Sequence, residues 1–464
     1  MRGRVLSPRT AGRILGRETD AENGTGMAAP IRAAPLSTER RSLWALLILL
    51  AALPLFGQFF HYMTDAGPLY FLSKAWPVIT LPLAVWGITT LRGPQAGSYL
   101  ALFSYAVVVT PVLSMLYLGN GLADAAFTTV KIWPVLYFFS VGALLAVLKP
   151  ESAVLRRLWL LLAGLTLFSL WLLWLTVPLS RYASDPAQSR LFMLEIERGY
   201  RIYMPMTFVL GLIFYATRRW LWDGRWLMLL PLVFSFVSML AIYKQRVTIA
   251  AAALLVLLLI LRRLPRGPRF FLMAAAGTTG GLGLLIARFD PISYAENFGA
   301  SLTVRLNTIE KVSSFLFGDP LRWLFGIGSV TRFSEKSLSD ILGGRFLYLA
   351  DIGWLGVVFE YGLTGAILIA VPMIFAVREA IRVRNHADRF IAALGDLILL
   401  LALETLIYSP VFTPGIMGML AAILFYERRR ASPADPGTAA MILQKSAGGA
   451  AIGAKRPPVM RQKV

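Results

Sequence analysis

The sequence predicts an all-α integral membrane protein, and three observations carry that reading. Of its 464 residues 57% are hydrophobic and only 15% charged, with a mean hydropathy of +0.65, which leaves too little polar surface for a water-soluble chain. Apolar runs near the roughly 20 residues that a spanning helix needs recur along nearly the whole length. The basic residues gather in tails and in alternate short loops, where positive charge fixes membrane orientation.

Taken in order, residues 1–41 are rich in Arg, Gly and Ala without apolar period and read as a disordered cytoplasmic tail. Candidate spans then cover 42–60, 69–91, 98–118, 124–148, 155–178, 202–217, 226–243, 247–261, 270–288, 349–377, 390–409 and 414–426. This gives about twelve helices in one polytopic domain, 42–426, with a large periplasmic loop between the ninth and tenth. A second disordered basic tail fills 427–464. If the N-terminus is cytoplasmic, the inner segments hold Arg92, Lys149, Arg156, Arg157, Arg218, Arg219, Arg225, Arg262, Arg263, Arg266, Arg269, Arg378, Arg382, Arg384 and Arg389. The opposite turns 61–68, 119–123 and 410–413 hold no Lys or Arg, so both termini are expected inside.

The net charge of +21 therefore does not point to nucleic acid. With no cysteine there is no disulfide framework or thiolate metal site. The chain has no Walker-type loop, no helix-opening GxGxxG, no Asp-x-Asp and no HExxH. Its two histidines, His61 and His386, fall on opposite predicted sides. Neither a metal nor a cofactor is expected.

Three outer segments break the charge pattern: 179–201, with Arg181, Arg190, Arg198 and Arg201; the turn Lys244-Gln245-Arg246; and 289–348, with Arg305, Lys311, Arg322, Arg332, Lys336 and Arg345. Cations retained there oppose the topology rule, and an anionic ligand is the simplest reason for them. In a helix over 301–316, Leu302, Leu306, Ile309, Val312 and Leu316 share a face with Arg305. A guanidinium so placed either snorkels to water or meets a buried anion. Arg246 and Arg201 each read equally as interfacial anchors or anion ligands. Asp351 is either a charge partner for a helix start or a base. Glu360 reads as part of a structural polar network, and Lys131 and Glu404, at similar depth, as a buried ion pair.

KQRVTIAAAALLVLLL at 244–259, TVRLNTIEKVSSFLFGDPLRWLFGIGSV at 303–330 and LADIGWLGVVFEYGLTGAI at 349–367, in that order, resemble the bacterial O-antigen polymerase and O-antigen ligase superfamily, which includes exopolysaccharide polymerases. The resemblance covers roughly residues 243–367; elsewhere it is a hydropathy profile. It matches Arg246 to the family's Arg-containing turn, Arg305 with Gly326 and Gly328 to its Arg-led helix and Gly-x-Gly turn, and Asp351 with Gly362 and Gly365 to its last motif. Ile352 stands where an Asn is common, and Asp351 where ligases carry histidine, which favours polymerase over ligase.

The resemblance implies a metal-independent membrane glycosyltransferase of the bacterial inner membrane that transfers a polyprenyl-diphosphate-linked oligosaccharide to a sugar hydroxyl. Asp351 would be the base, with Arg305, Arg246 and Arg201 on the diphosphate. A ligase, and from another class a flippase for the same lipid-linked sugars, are the alternatives. A flippase and a chain-length regulator are the expected partners, besides membrane lipids, and nucleic acid is not.

Overall fold

The computed structural model describes residues 38–61, 63–184, 191–195, 198–271, 274, 278, 300–331, 334–344 and 347–431. Helices dominate, and those at Pro68–Thr90, Pro94–Leu118, Ser152–Thr176, Trp226–Tyr243 and Gly353–Asn385 are long and apolar enough to cross a membrane. The chain is a membrane-embedded helical protein. A further pair, Leu122–Lys131 and Trp133–Leu148, passes the same test jointly but is bent by 52°. Most of the expected span at 270–288, and the tails 1–37 and 432–464, lie outside the described residues.

Several boundaries differ from expectation. The first helix, Thr38–Phe56, begins inside the segment expected as tail, and the last, Pro414–Ala431, runs on past 426. Residues 199–202 form a strand, Gly199–Ile202, paired antiparallel with Phe192–Glu195; the helix expected from 202 begins only at Thr207. Gly199 supplies the positive φ of 66° in the turn, which is why the chain reverses there. Arg218, counted above as a loop charge, lies inside the Thr207–Asp223 helix at 1% exposure. Its guanidinium grips Asp396 with two nitrogens and donates to the Arg384 carbonyl at 2.8 Å.

The bent pair has a local cause. Thr128 and Thr129 turn their hydroxyls back onto the Ala125 and Ala126 carbonyls at 2.7 Å, and Pro134 removes a backbone donor just beyond. Lys131 sits at this break and bonds both oxygens of Glu360, at 2.8 and 2.6 Å. Its ammonium also lies 3.9 Å from the Phe412 ring centroid. Lys131 therefore pairs with Glu360 and not with Glu404: the bend carries it towards the Gly353–Arg382 helix, which depth counted along straight helices could not register.

The helix bearing Glu360 is itself broken at Gly362, whose φ of 65° and ψ of −178° are open only to glycine. The FGIGSV turn crosses it there. Ile327 and Gly328 donate to the Phe359 and Glu360 carbonyls at 3.1 and 3.0 Å. The Tyr105 hydroxyl contacts the Phe325 and Tyr361 carbonyls at 3.1 and 2.9 Å. A Cβ at Gly326 would stand 2.5 Å from the Glu360 carbonyl oxygen, so the two backbones meet only because that side chain is missing.

Removing one member of the Lys131–Glu360 pair strands a charge on a group with no exposure. Lys131→Met should therefore cost about 3–5 kcal/mol, and the double variant Lys131→Met/Glu360→Met less than either single one. Thermal unfolding of the purified variants measures the order, and additive losses would contradict it.

Candidate functional site

The Arg305 helix runs Ala300–Phe317, as its periodicity predicts, but its protein-facing stripe is rotated from the expected one. Thr308, Val312 and Leu316 are fully buried, whereas Leu306 and Ile309 are 52% and 38% exposed. The expected stripe assumed that every leucine packs inward, but single leucines are common on exposed helix faces. Arg305 shares the inward stripe with Thr308 and Val312, and its side chain is 21% exposed.

There it meets Asp351 at 4.0 Å between Nη2 and Oδ2, with its guanidinium 5.8 Å from the Tyr408 ring. Asp351 closes the short helical turn Leu349–Asp351, just ahead of the spanning helix. That turn is fixed from behind, because Ser409 donates its backbone N–H to the Ala350 carbonyl at 2.8 Å.

The hairpin brings the remaining cations. Arg201 is 6% exposed, ion-paired with Glu195, and 5.3 Å from the Tyr203 ring. Arg198 pairs with the same Glu195 at 3.4 Å. Lys244, held at a positive φ of 55°, donates to the Arg198 and Tyr200 carbonyls at 3.0 and 2.9 Å. One cation of the Lys244-Gln245-Arg246 turn thus clamps the hairpin instead of facing a ligand.

Burial pushes the Asp351 carboxyl above the ordinary carboxylate range, against the opposing pull of Arg305, Arg198 and Arg201; Glu195 adds to the rise. Its side chain is still 36% exposed, so the group is backed by protein and reachable from outside. The Nε groups of Arg201 and Arg305 are each buried without a hydrogen-bond acceptor, while that of Arg198 faces Glu195. Guanidinium donors lacking acceptors, set among the Asp351 and Glu195 carboxylates, form a place for an anion with several oxygens.

The structure thus brings Asp351, Arg305 and Arg201 together. Arg246 stands exposed as the first residue of the Arg246–Arg263 helix. Sequence reasoning did not single out Arg198, Glu195 or Tyr408. Arg198 and Arg201 share one outer segment, and that clustering was the available signal; Tyr408 sits beside a turn without charge, where counting cations cannot find it. Arg322 stacks on Phe315 at 4.4 Å and Tyr117 at 5.5 Å and pairs with Asp319 at 3.4 Å, so it knits the Arg305 helix to its neighbours. Among the described residues no three His, Asp or Glu side chains converge as a metal-ligand group. In comparisons with known proteins, the chain matches no family model and no curated protein.

Proposed function

We propose that the chain is a polysaccharide polymerase of the bacterial inner membrane, joining polyprenyl-diphosphate-linked oligosaccharide units at the periplasmic face. The observation that carries this reading is the pair of buried, acceptor-less Nε groups on Arg201 and Arg305 beside Asp351, with the Arg198 guanidinium close by. An acceptor hydroxyl oxygen forms a bond to the anomeric carbon of the donor, and the carbon–oxygen bond to the diphosphate breaks. The diphosphate leaves with the electron pair, and the hydroxyl proton passes to Asp351. Guanidinium donors suit the charge that grows on the departing oxygen, because they pair bidentately with phosphate. A ligase uses the same chemistry on another acceptor; aspartate in place of histidine is what favours the polymerase.

In this reading about twelve helices cross the membrane, both termini are cytoplasmic, and 179–201 and 289–348 are periplasmic. Reporter fusions after Asp319 and after His386 should signal periplasm and cytoplasm respectively. The same side for both would remove the shared face that the site needs.

A flippase is the second reading, favoured by one observation: two broken helices meet at a buried ion pair, Lys131–Glu360, as in the discontinuous helices of transporters. Against it, Glu360 is also tied to the Val330 amide at 3.0 Å and the crossing carries the backbone bonds described above, which fits a fixed scaffold. Purified protein reconstituted with lipid-diphosphate-linked units tests the choice: lengthened products support the polymerase, and movement of units without lengthening supports the flippase.

A further inference from the structure

A cleft of about 100 Å³ opens between the Pro94, Gly353, Arg389 and Pro414 helices. Its walls are apolar in depth, with Leu102, Ile369, Met373 and Leu401, and polar at one end, with Glu404, Tyr408 and Ser409. About 10–15 Å³ holds one water, so this is room for several waters or a small ring. Three polar atoms on its lining are buried with no hydrogen-bond partner: Glu404 Oε1, Ser409 Oγ and Tyr99 OH. Ser409 and Tyr99 are each 3% exposed.

We infer that this cleft is a second binding site, taking a sugar ring of the acceptor, with Glu404 and Ser409 receiving its hydroxyls. The inference rests on the polymerase reading and assigns a place that the arginine site leaves open. The unpartnered Oε1 of Glu404 accepts hydrogen bonds, so a ligand hydroxyl can donate to it. Ser409 and Tyr99 hydroxyls both donate and accept, as vicinal sugar hydroxyls do. The apolar walls match the C–H faces of a ring.

Position agrees with chemistry. Tyr408, at the polar end, stands against the Arg305 guanidinium, and Ser409 is bonded to Ala350, next to Asp351. A sugar seated on Glu404 and Ser409 would therefore lie beside the turn that carries Asp351, while the donor diphosphate occupies the arginines.

The test uses the full-length protein in nanodiscs. The probe is the lipid-free repeat-unit oligosaccharide, released by mild acid from the cell's own lipid-linked units, with chain elongation as the second readout. Glu404→Gln and Ser409→Ala should each weaken oligosaccharide binding about tenfold, the scale of one lost hydrogen bond in a buried site. The acceptor KM should rise in parallel while the donor KM stays within about twofold. Because Ser409→Ala removes a single oxygen, it guards against misfolding of the Glu404 variant; unchanged donor binding certifies both. Elongation by wild type with unaltered acceptor KM in both variants overturns the inference and leaves the polymerase reading standing. Absence of elongation by wild type overturns that reading first. Loss of sodium or potassium dependence in Glu404→Gln, with acceptor KM unchanged, would show the cleft to be a cation site and likewise overturn the inference.

Discussion

Arg305→Ala is expected to abolish polymer formation while protein level and lipid-linked repeat units persist. Arg305 combines burial on the inward stripe of its helix, an Nε without an acceptor, and a 4.0 Å approach to Asp351. Losing one preorganised donor to a developing oxyanion lowers turnover by about 10²–10³. Here the loss is compounded, since Arg305 also restrains the pKa of Asp351. Without it the carboxyl rises further, and the acidic limb of any residual pH–rate profile should move to higher pH. Arg322→Ala provides the contrast: it removes stacking on Phe315 and Tyr117, so it should lower thermal stability and leave the profile's shape intact. Equal tolerance of alanine at Arg305, Arg201 and Arg198 would return all of them to anchoring roles.

Asp351→Asn keeps the size and hydrogen-bonding shape of the side chain but cannot take a proton, so elongation should fall by about 10²–10⁴ with donor binding retained. The pH dependence has a definite sign. Burial raises the Asp351 pKa, so wild-type turnover should climb with pH through a limb lying above the ordinary carboxylate range, and the Asn variant should lack that limb. Stability runs the other way. A carboxyl whose folded pKa is raised favours the folded state below its unfolded pKa and loses that contribution as pH rises through the folded one. Near neutrality the Asn variant should therefore melt no lower than wild type. If Asp351 merely opened the Gly353 helix, Asn would be tolerated in the assay and the limb would remain.

Membrane embedding and the order of the apolar helices were legible in the sequence because both depend on composition summed over about 20 residues. The Arg305 helix was legible from periodicity, but which of its stripes faces protein was not, since single exposed leucines such as Leu306 are common on a protein surface. Arg305 and Asp351 were found as misplaced charges, and they do meet. Arg198 became evident only once the hairpin Phe192–Glu195/Gly199–Ile202 folded it back. Lys131 and Glu360 were seen as intramembrane charges, yet their pairing depends on a 52° bend made by Thr128, Thr129 and Pro134, a tertiary outcome that straight-helix depth does not encode. The glycines at 326, 328 and 362 stood out as a pattern. Their use, a crossing of two backbones too close for a Cβ, required the structure.

The most direct test of the central claim is product length. Purified protein in nanodiscs is given lipid-diphosphate-linked repeat units with chelator and without nucleotide, and the glycan products are sized by mass spectrometry. Ladders longer than one unit from wild type, absent in Asp351→Asn and Arg305→Ala, are the predicted result. Elongation undiminished in Asp351→Asn, or strict dependence of wild type on added divalent metal, would contradict the account.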